Sequence, residues 1–309
     1  MELQLKNIGM IKEANVKIDG LTVIAGENDT GKSTVGKALY LYLKDESQDF
    51  SLLTKFLFEN QLSTKLPLKS NKNFIAGNIQ INKKKKSYTP IFIETPLVWS
   101  FIETFKNVIQ IGHQTGIRVN IPYLMNDLAI KLTNTSIKND AIDISYKTKK
   151  IMQGNFKKDD KGIFFFEKDE IRIELINTAT GIKYFGILQI LSNNRWLSKD
   201  NILILDEPEV HLHPKWQLEI AKIIVELVKN GVKIVVNSHS PYMIEALKRY
   251  SDLEKIENKT NFYLAEDGYI KQINNSNSET LEKIFEKLSE PFDTFEEMDS
   301  QSMERLING

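Results

Sequence analysis

The chain has 309 residues, a formal net charge of zero and no cysteine. Its length fits one large domain or two modest ones, and the lack of cysteine excludes a disulfide framework, a thiolate zinc site and a cysteine nucleophile, as expected of a protein of the reducing cytoplasm. The opening MELQLKNIGMIKEANVKIDG lacks the basic start and apolar run of a signal peptide, and no stretch of about 18 apolar residues is present to cross a membrane.

Glu2–Asn7 and Ala14–Ile18 alternate apolar and polar residues, the pattern of half-buried strands. Leu21–Ala25 is a continuous apolar run, expected for a strand covered on both faces. It leads into Gly26-Glu27-Asn28-Asp29-Thr30-Gly31-Lys32-Ser33-Thr34, and Val35–Leu43 then reads as a helix. This stretch matches G-x-x-x-x-G-K-[ST] in full, in the strand–loop–helix frame the motif needs. Glycines let backbone N–H groups wrap phosphates, and the following helix turns its positive end to the anion. Lys32 is expected on the β- and γ-phosphates and the Ser33 hydroxyl on magnesium, which makes ATP and Mg²⁺ the expected ligands.

Residues 45–161 are too long for a plain connection. They are rich in Lys and Asn, contain one apolar strand at Pro90–Glu94, and carry helical patterns near Val98–Ile109 and Leu124–Leu132. The reading is an inserted, partly helical lid between a first core part, 1–44, and a second, 162–275. Its lysine runs, Lys83–Lys86 and Lys147–Lys150, suit either a solvated surface or contact with phosphate backbones.

Order returns with Ile163–Glu167 and Ile171–Ile176 as paired strands and Gly181–Leu191 as a helix. Asn201–Leu205 is a buried strand ending in Asp206-Glu207-Pro208. In a phosphate-binding frame the first carboxylate belongs near magnesium, and the second orients and deprotonates the attacking water. Lys215–Lys229 is an amphipathic helix stopped by Gly231. Val232–Val236 is a further buried strand, followed by His239 and by Ser240-Pro241 as the start of a helix. A histidine beyond the carboxyl end of such a strand points into the nucleotide crevice. Strands alternating with helices imply an α/β fold with a mostly parallel sheet and an N-terminal antiparallel region. Residues 276–309 read as a C-terminal helix and a loosely held acidic tail at Glu290–Ser300.

Together, GENDTGKST, ILILDEPEVHLHP and NSHSP resemble the ABC-type ATPases of the SMC and OLD group. More narrowly, they resemble the compact bacterial AAA family ATPases often found with nucleases in phage-defence operons. The resemblance covers about 1–44 and 162–246. It implies two copies sandwiching ATP, as a homodimer or higher homo-oligomer, with catalytic Lys32, Glu207 and His239 and with Ser33 and Asp206 on magnesium. It also implies a signature segment acting on the partner's ATP at Ala179, Thr180, Gly181 and Lys183, the alternative being an ordinary helix cap by Thr180. Glu209 and His211 fall in the family's D-loop, a dimer contact. A metal pair of His211 and His213 lacks further ligands in view. Glu94 takes either the family's magnesium-sensing place or a surface role. By the same resemblance the chain is a switch for a separate nuclease or toxin effector, with DNA as a further partner and no membrane. The alternatives are a transporter subunit, which needs an LSGGQ-like loop not found here, and a nucleotide-dependent scaffold.

Overall fold

The computed structural model describes residues 1–44, 78–82, 88–116, 121–137, 140–210 and 212–308. The lysine run at 83–86 and His211 lie outside them.

Among the described residues, twelve strands form two sheets. In chain order they are β1 (Glu2–Ile8), β2 (Ile11–Lys17), β3 (Leu21–Ala25), β4 (Asn78–Asn82), β5 (Thr89–Ile93), β6 (Asn155–Lys158), β7 (Phe164–Lys168), β8 (Ile171–Glu174), β9 (Asn201–Asp206), β10 (Lys233–Ser238), β11 (Thr260–Glu266) and β12 (Tyr269–Lys271). The helices are α1 (Lys32–Lys44), α2 (Val98–Thr115), α3 (Tyr123–Thr133), α4 (Ser145–Met152), α5 (Thr180–Asn193), α6 (Pro214–Lys229), α7 (Pro241–Leu253) and α8 (Asn277–Asn308). The main sheet has the order β4-β1-β2-β12-β11-β3-β10-β9-β5. The block β11-β3-β10-β9-β5 is parallel throughout, whereas β4-β1-β2 and β11-β12 pair antiparallel. Strands β4 and β5 belong to this sheet although they fall inside the stretch expected as an insertion.

Alternation along the central strands splits the core in two. Ile24, Phe92, Ile202, Ile204 and Val235 face α1, where Val35, Ala38 and Leu39 cover them. Val23, Ile91, Ile93, Leu203, Leu205, Ile234 and Val236 face the opposite side, covered by apolar residues of α5, α6 and α7. Both faces being buried explains why these strands read as unbroken apolar runs. Helix α1 lies close on the sheet at Gly36, where a Cβ would meet Ile204 Cγ2 at 3.0 Å and Phe92 Cε2 at 3.1 Å.

The second sheet, β6-β7-β8, is antiparallel and packs through aromatic side chains. The Trp99 ring of α2 lies 5.0 Å, centroid to centroid, from both Phe156 and Phe164. Trp99 Nε1 also donates to the Lys183 carbonyl at 2.8 Å, which ties α2 to the first turn of α5.

Two further stretches depart from expectation. The stretch 171–176 is strand only to Glu174, and a 3₁₀ turn occupies Leu175–Asn177. The acidic segment expected as a loose tail is helical, as part of the 32-residue α8. That helix is anchored before the acidic stretch: Leu281 and Ile284 are buried, and Lys287 pairs with Glu266 at 3.1 Å and Glu290 at 3.0 Å. Propagation from a packed first half costs far less than nucleating a free helix, so the polar half continues it.

Candidate functional site

The parallel block brings the ends of β3, β9 and β10 side by side, with Ala25 level with Ser238 and Asp206 level with Asn237. The three motifs follow these ends directly. The loop after β3 leaves no room for larger residues: a Cβ on Gly26 would lie 2.2 Å from the Ala265 carbonyl oxygen. At Gly31, φ is +90° and a Cβ would lie 2.9 Å from Ile11 Cγ1. Asp29 also takes a left-handed conformation, and Thr30 Oγ1 donates to the Glu27 carbonyl at 2.8 Å. Glu27, Asn28 and Asp29 are exposed along the loop, while Thr34 is buried at the start of α1.

Lys32 is buried and folds back over the loop, donating from Nζ to the carbonyls of Gly26 (2.9 Å) and Glu27 (2.6 Å). Burial lowers its ammonium below the ordinary lysine value, against the opposing charges of Glu207, Asp206, Glu209 and Glu27. Ser33 Oγ donates to Asp206 Oδ1 at 3.0 Å, and Asn237 Nδ2 donates to the same oxygen at 2.8 Å. Burial nevertheless pushes the Asp206 carboxyl above its usual range, with Glu94 adding a like charge. A cation beside a buried carboxylate restores its ionised form. Ser33 and Asp206 therefore fit a hard divalent ion, and Asn237 Oδ1, buried without a partner, is a further oxygen beside them. Glu94 follows β5, whose Ile93 pairs in register with Leu205, and so flanks Asp206. It is exposed and ion-paired with Lys37 at 3.5 Å. Among the described residues no group of three or more His, Asp or Glu side chains is gathered to hold a metal.

Glu207 takes φ of +49°, a conformation costly for a residue with a Cβ, and its N–H donates to the Asn237 carbonyl at 2.9 Å. This turn sends its side chain to His239, whose Nδ1 lies 3.2 Å from Glu207 Oε1. Both side chains remain partly exposed, open to a reactant. The structure thus brings Lys32, Ser33, Asp206, Glu207 and His239 together.

The remaining expected residues lie apart from this cluster or are used differently. Ala179, not Thr180, holds the N-cap position of α5, and no side chain caps that helix. Gly181 is buried beneath α6, where a Cβ would sit 3.0 Å from Trp216 Cζ3 and 3.1 Å from Leu212 Cδ2. Lys183 is partly buried, which lowers its ammonium. Glu209, expected as a dimer contact, is buried and bonded within its own chain, accepting from Ser238 Oγ at 2.6 Å and from the His239 N–H at 3.0 Å. His213 accepts the Lys215 N–H at 3.3 Å as the cap of α6 rather than joining a metal pair. Sequence reasoning did not single out Asn237 as a holder of Asp206. Its signal was a polar side chain at the end of an otherwise apolar strand.

Residues 125–244 match the family model described as an AAA ATPase domain, which spans the acidic pair and His239 but not the glycine loop. No curated protein matches the sequence. Among solved structures, the SMC head crystallised with the C-terminal winged-helix domain of ScpA aligns with TM-score 0.51 at 14% identity, over 88% of this chain and 96% of that one. The chain has the P-loop NTPase fold of an SMC head. The SMC head domain from Thermotoga maritima aligns at 12% identity with TM-score 0.45, covering 88% of this chain and 98% of that one. An ATP-binding cassette of an ABC transporter in its ADP conformation aligns at 14% identity with TM-score 0.42, covering 94% and 96%. In this SMC-head fold, no helix among the described residues is long and apolar enough to cross a membrane.

Proposed function

We propose that the chain binds ATP with magnesium on the Gly26–Thr34 loop and hydrolyses it between two copies of itself. The observation that carries this reading is the convergence of Ser33 on Asp206 and of His239 on Glu207 around a buried Lys32. Lys32, held now by loop carbonyls, is free to exchange them for phosphate oxygens, which are stronger acceptors for an ammonium. Ser33 and Asp206 would hold the magnesium ion, with Glu94 beside them; the ion supplies charge neutralisation at the phosphates. Glu207 orients the attacking water and takes its proton, and His239 donates to the terminal phosphate. Positioning and charge do most of the work in phosphoryl transfer, so a preformed cluster is what the reaction needs.

The second copy supplies the Ala179–Lys183 segment. The first N–H groups of α5 have no side-chain cap, and a partner's phosphate satisfies them as a cap would. The exposed Val210, in the segment the resemblance assigns to contacts between copies, adds to that surface. ATP then acts as an ordering ligand for the dimer, and its loss on hydrolysis reverses the association. On the resemblance of its motifs, the chain works in the cytoplasm as a switch for a separate nuclease or toxin effector, and Lys147–Lys150 offers a surface for DNA.

The test is a Glu207→Gln variant with Mg-ATP. It is expected to bind ATP, lose hydrolysis and accumulate as a dimer by size-exclusion chromatography with light scattering. A variant that stays monomeric at saturating ATP, or a wild-type chain that ignores Mg-ATP in calorimetry, overturns the proposal.

A further inference from the structure

Glu209 stands two residues after the proposed base, and its carboxylate stitches two loops together. It is 4% exposed. Its Oε1 accepts Ser238 Oγ at 2.6 Å, the His239 N–H at 3.0 Å and the Ser240 N–H at 3.3 Å. The donors are the last residue of β10 and the two residues of the turn after it that carries His239, and the acceptor belongs to the turn after β9 that carries Glu207. A buried carboxyl oxygen that accepts from three donors holds a turn more firmly than a single contact does, although burial pushes this carboxyl above its usual range.

The network continues away from the site. Ser240 Oγ donates to Gln217 Oε1 at 2.8 Å and accepts the Met243 N–H as the cap of α7. Gln217 Nε2 donates to the Leu212 carbonyl at 3.2 Å, and the Leu212 N–H returns to the Glu209 carbonyl at 2.9 Å. Leu212 and Trp216 form the surface on which Gly181 rests. A continuous, buried path therefore runs from His239 to the start of α5.

We propose that Glu209 is a positioning residue that sets His239 and, through Ser240 and Gln217, joins the hydrolytic end of the nucleotide site to the Gly181 segment. This rests on the ATPase reading above and adds to it an internal link between the part of the chain facing its own nucleotide and the part facing its partner's. Glu209 touches no reactant. It acts by holding the His239 backbone, so its loss separates catalysis from binding: phosphate contacts made by Lys32 and the glycine loop are untouched, while the group needed in the transition state is released.

The experiment compares wild type, Glu209→Ala, Glu209→Gln and Gln217→Ala. Binding is read with a fluorescent ATP analogue and magnesium, turnover by phosphate release, and folding by thermal melts. For Glu209→Ala the expected result is a nucleotide Kd within about threefold of wild type and a kcat lowered about 10- to 100-fold. Glu209→Gln keeps an oxygen for the same donors and recovers most of the lost rate. Gln217→Ala leaves Glu209 on His239 and is expected to bind nucleotide normally while its ATP-dependent dimer forms at about tenfold higher protein concentration. A folded Glu209→Ala with wild-type kcat, or with kcat and binding lost in proportion, overturns the proposal. If that variant does not fold, Gln217→Ala decides alone, and wild-type dimerisation overturns the link. A wild-type chain without any ATP turnover sinks the ATPase reading itself, whereas an active wild type matched by both alanine variants sinks only this inference.

Discussion

Asp206 ends a fully buried strand, and among the described residues only Ser33 and Asn237 donate to its carboxylate, both at Oδ1. Under the proposed magnesium role Ser33 would turn its hydroxyl to the ion, which would leave Asn237 as the remaining neutral donor to Asp206. Replacing Asn237 by Ala takes away that donor and the orphaned Oδ1 beside it. The expected outcome is an increase of about tenfold in the magnesium concentration for half-maximal ATPase, the worth of one hydrogen bond to a charged group. A magnesium titration at saturating ATP checks it, and an unchanged midpoint counts against a metal role for this oxygen pair. At this scale the sequence was most legible where chemistry and local backbone coincide. The glycine loop carries its own geometry, and Asp206, Glu207 and His239 sit at strand ends whose apolar runs announce them. Glu209 was not legible as an internal anchor, because its three donors come from another strand about thirty residues on, and no spacing within its own segment records that meeting.

Among the elements, α5 is held most tightly at Gly186. A Cβ there would lie 2.4 Å from two ring atoms of Phe156, which is itself packed between Trp99 and Phe166. Gly186→Ala gains helix propensity, but it must move β6 or the Phe156 ring out of an aromatic stack. Overpacking of this kind costs about 1–3 kcal/mol, which outweighs the gain of under about 1 kcal/mol from propensity. Chemical denaturation is expected to show a net loss, and equal or greater stability refutes the rigidity of that contact. A second contact between elements makes a pH prediction. Lys131 of α3 is buried and ion-paired with Asp127, which also takes Lys44 at the end of α1 at 2.9 Å. Burial brings the Lys131 ammonium down from 10.5 to about 8 despite the favourable Asp127 charge. The folded value lies below the unfolded one, so between about pH 8 and 10.5 the unfolded chain holds more protons and stability from this group rises with pH. Urea melts of wild type and Lys131→Met at pH 7.5 and 10 are expected to show that rise in wild type and its reduction in the variant. Helices α1, α5, α6 and α7 were legible from periodicity, caps and Gly231. The place of β4 and β5 in the main sheet was not, because a strand's neighbours are set by pairing across distant segments.

Taken as a whole molecule, and under the proposed two-copy ATPase, the glycine loop at the end of β3 and the uncapped start of α5 belong to two different ATP sites. Ala179 is exposed at the N-cap position, so Ala179→Asp puts a favoured capping carboxylate there. The substituted helix satisfies its own first N–H groups and repels an incoming phosphate, while the fold is kept or strengthened. Lys32→Ala has the opposite defect, a poor glycine loop beside an intact α5. Each variant alone is expected to lose ATPase activity. Mixed in equal amounts, half the dimers combine the two, and each of these contains one site with an intact Lys32 loop from one copy and an intact α5 start from the other. Activity should therefore return to about a quarter of wild type on mixing, provided the assembly is a symmetric two-site dimer. Phosphate release measured on the mixture against each variant alone reads the result. If the mixture stays as inactive as its components while both variants remain folded and still form dimers, the two halves do not meet across copies, and the nucleotide is handled within one chain.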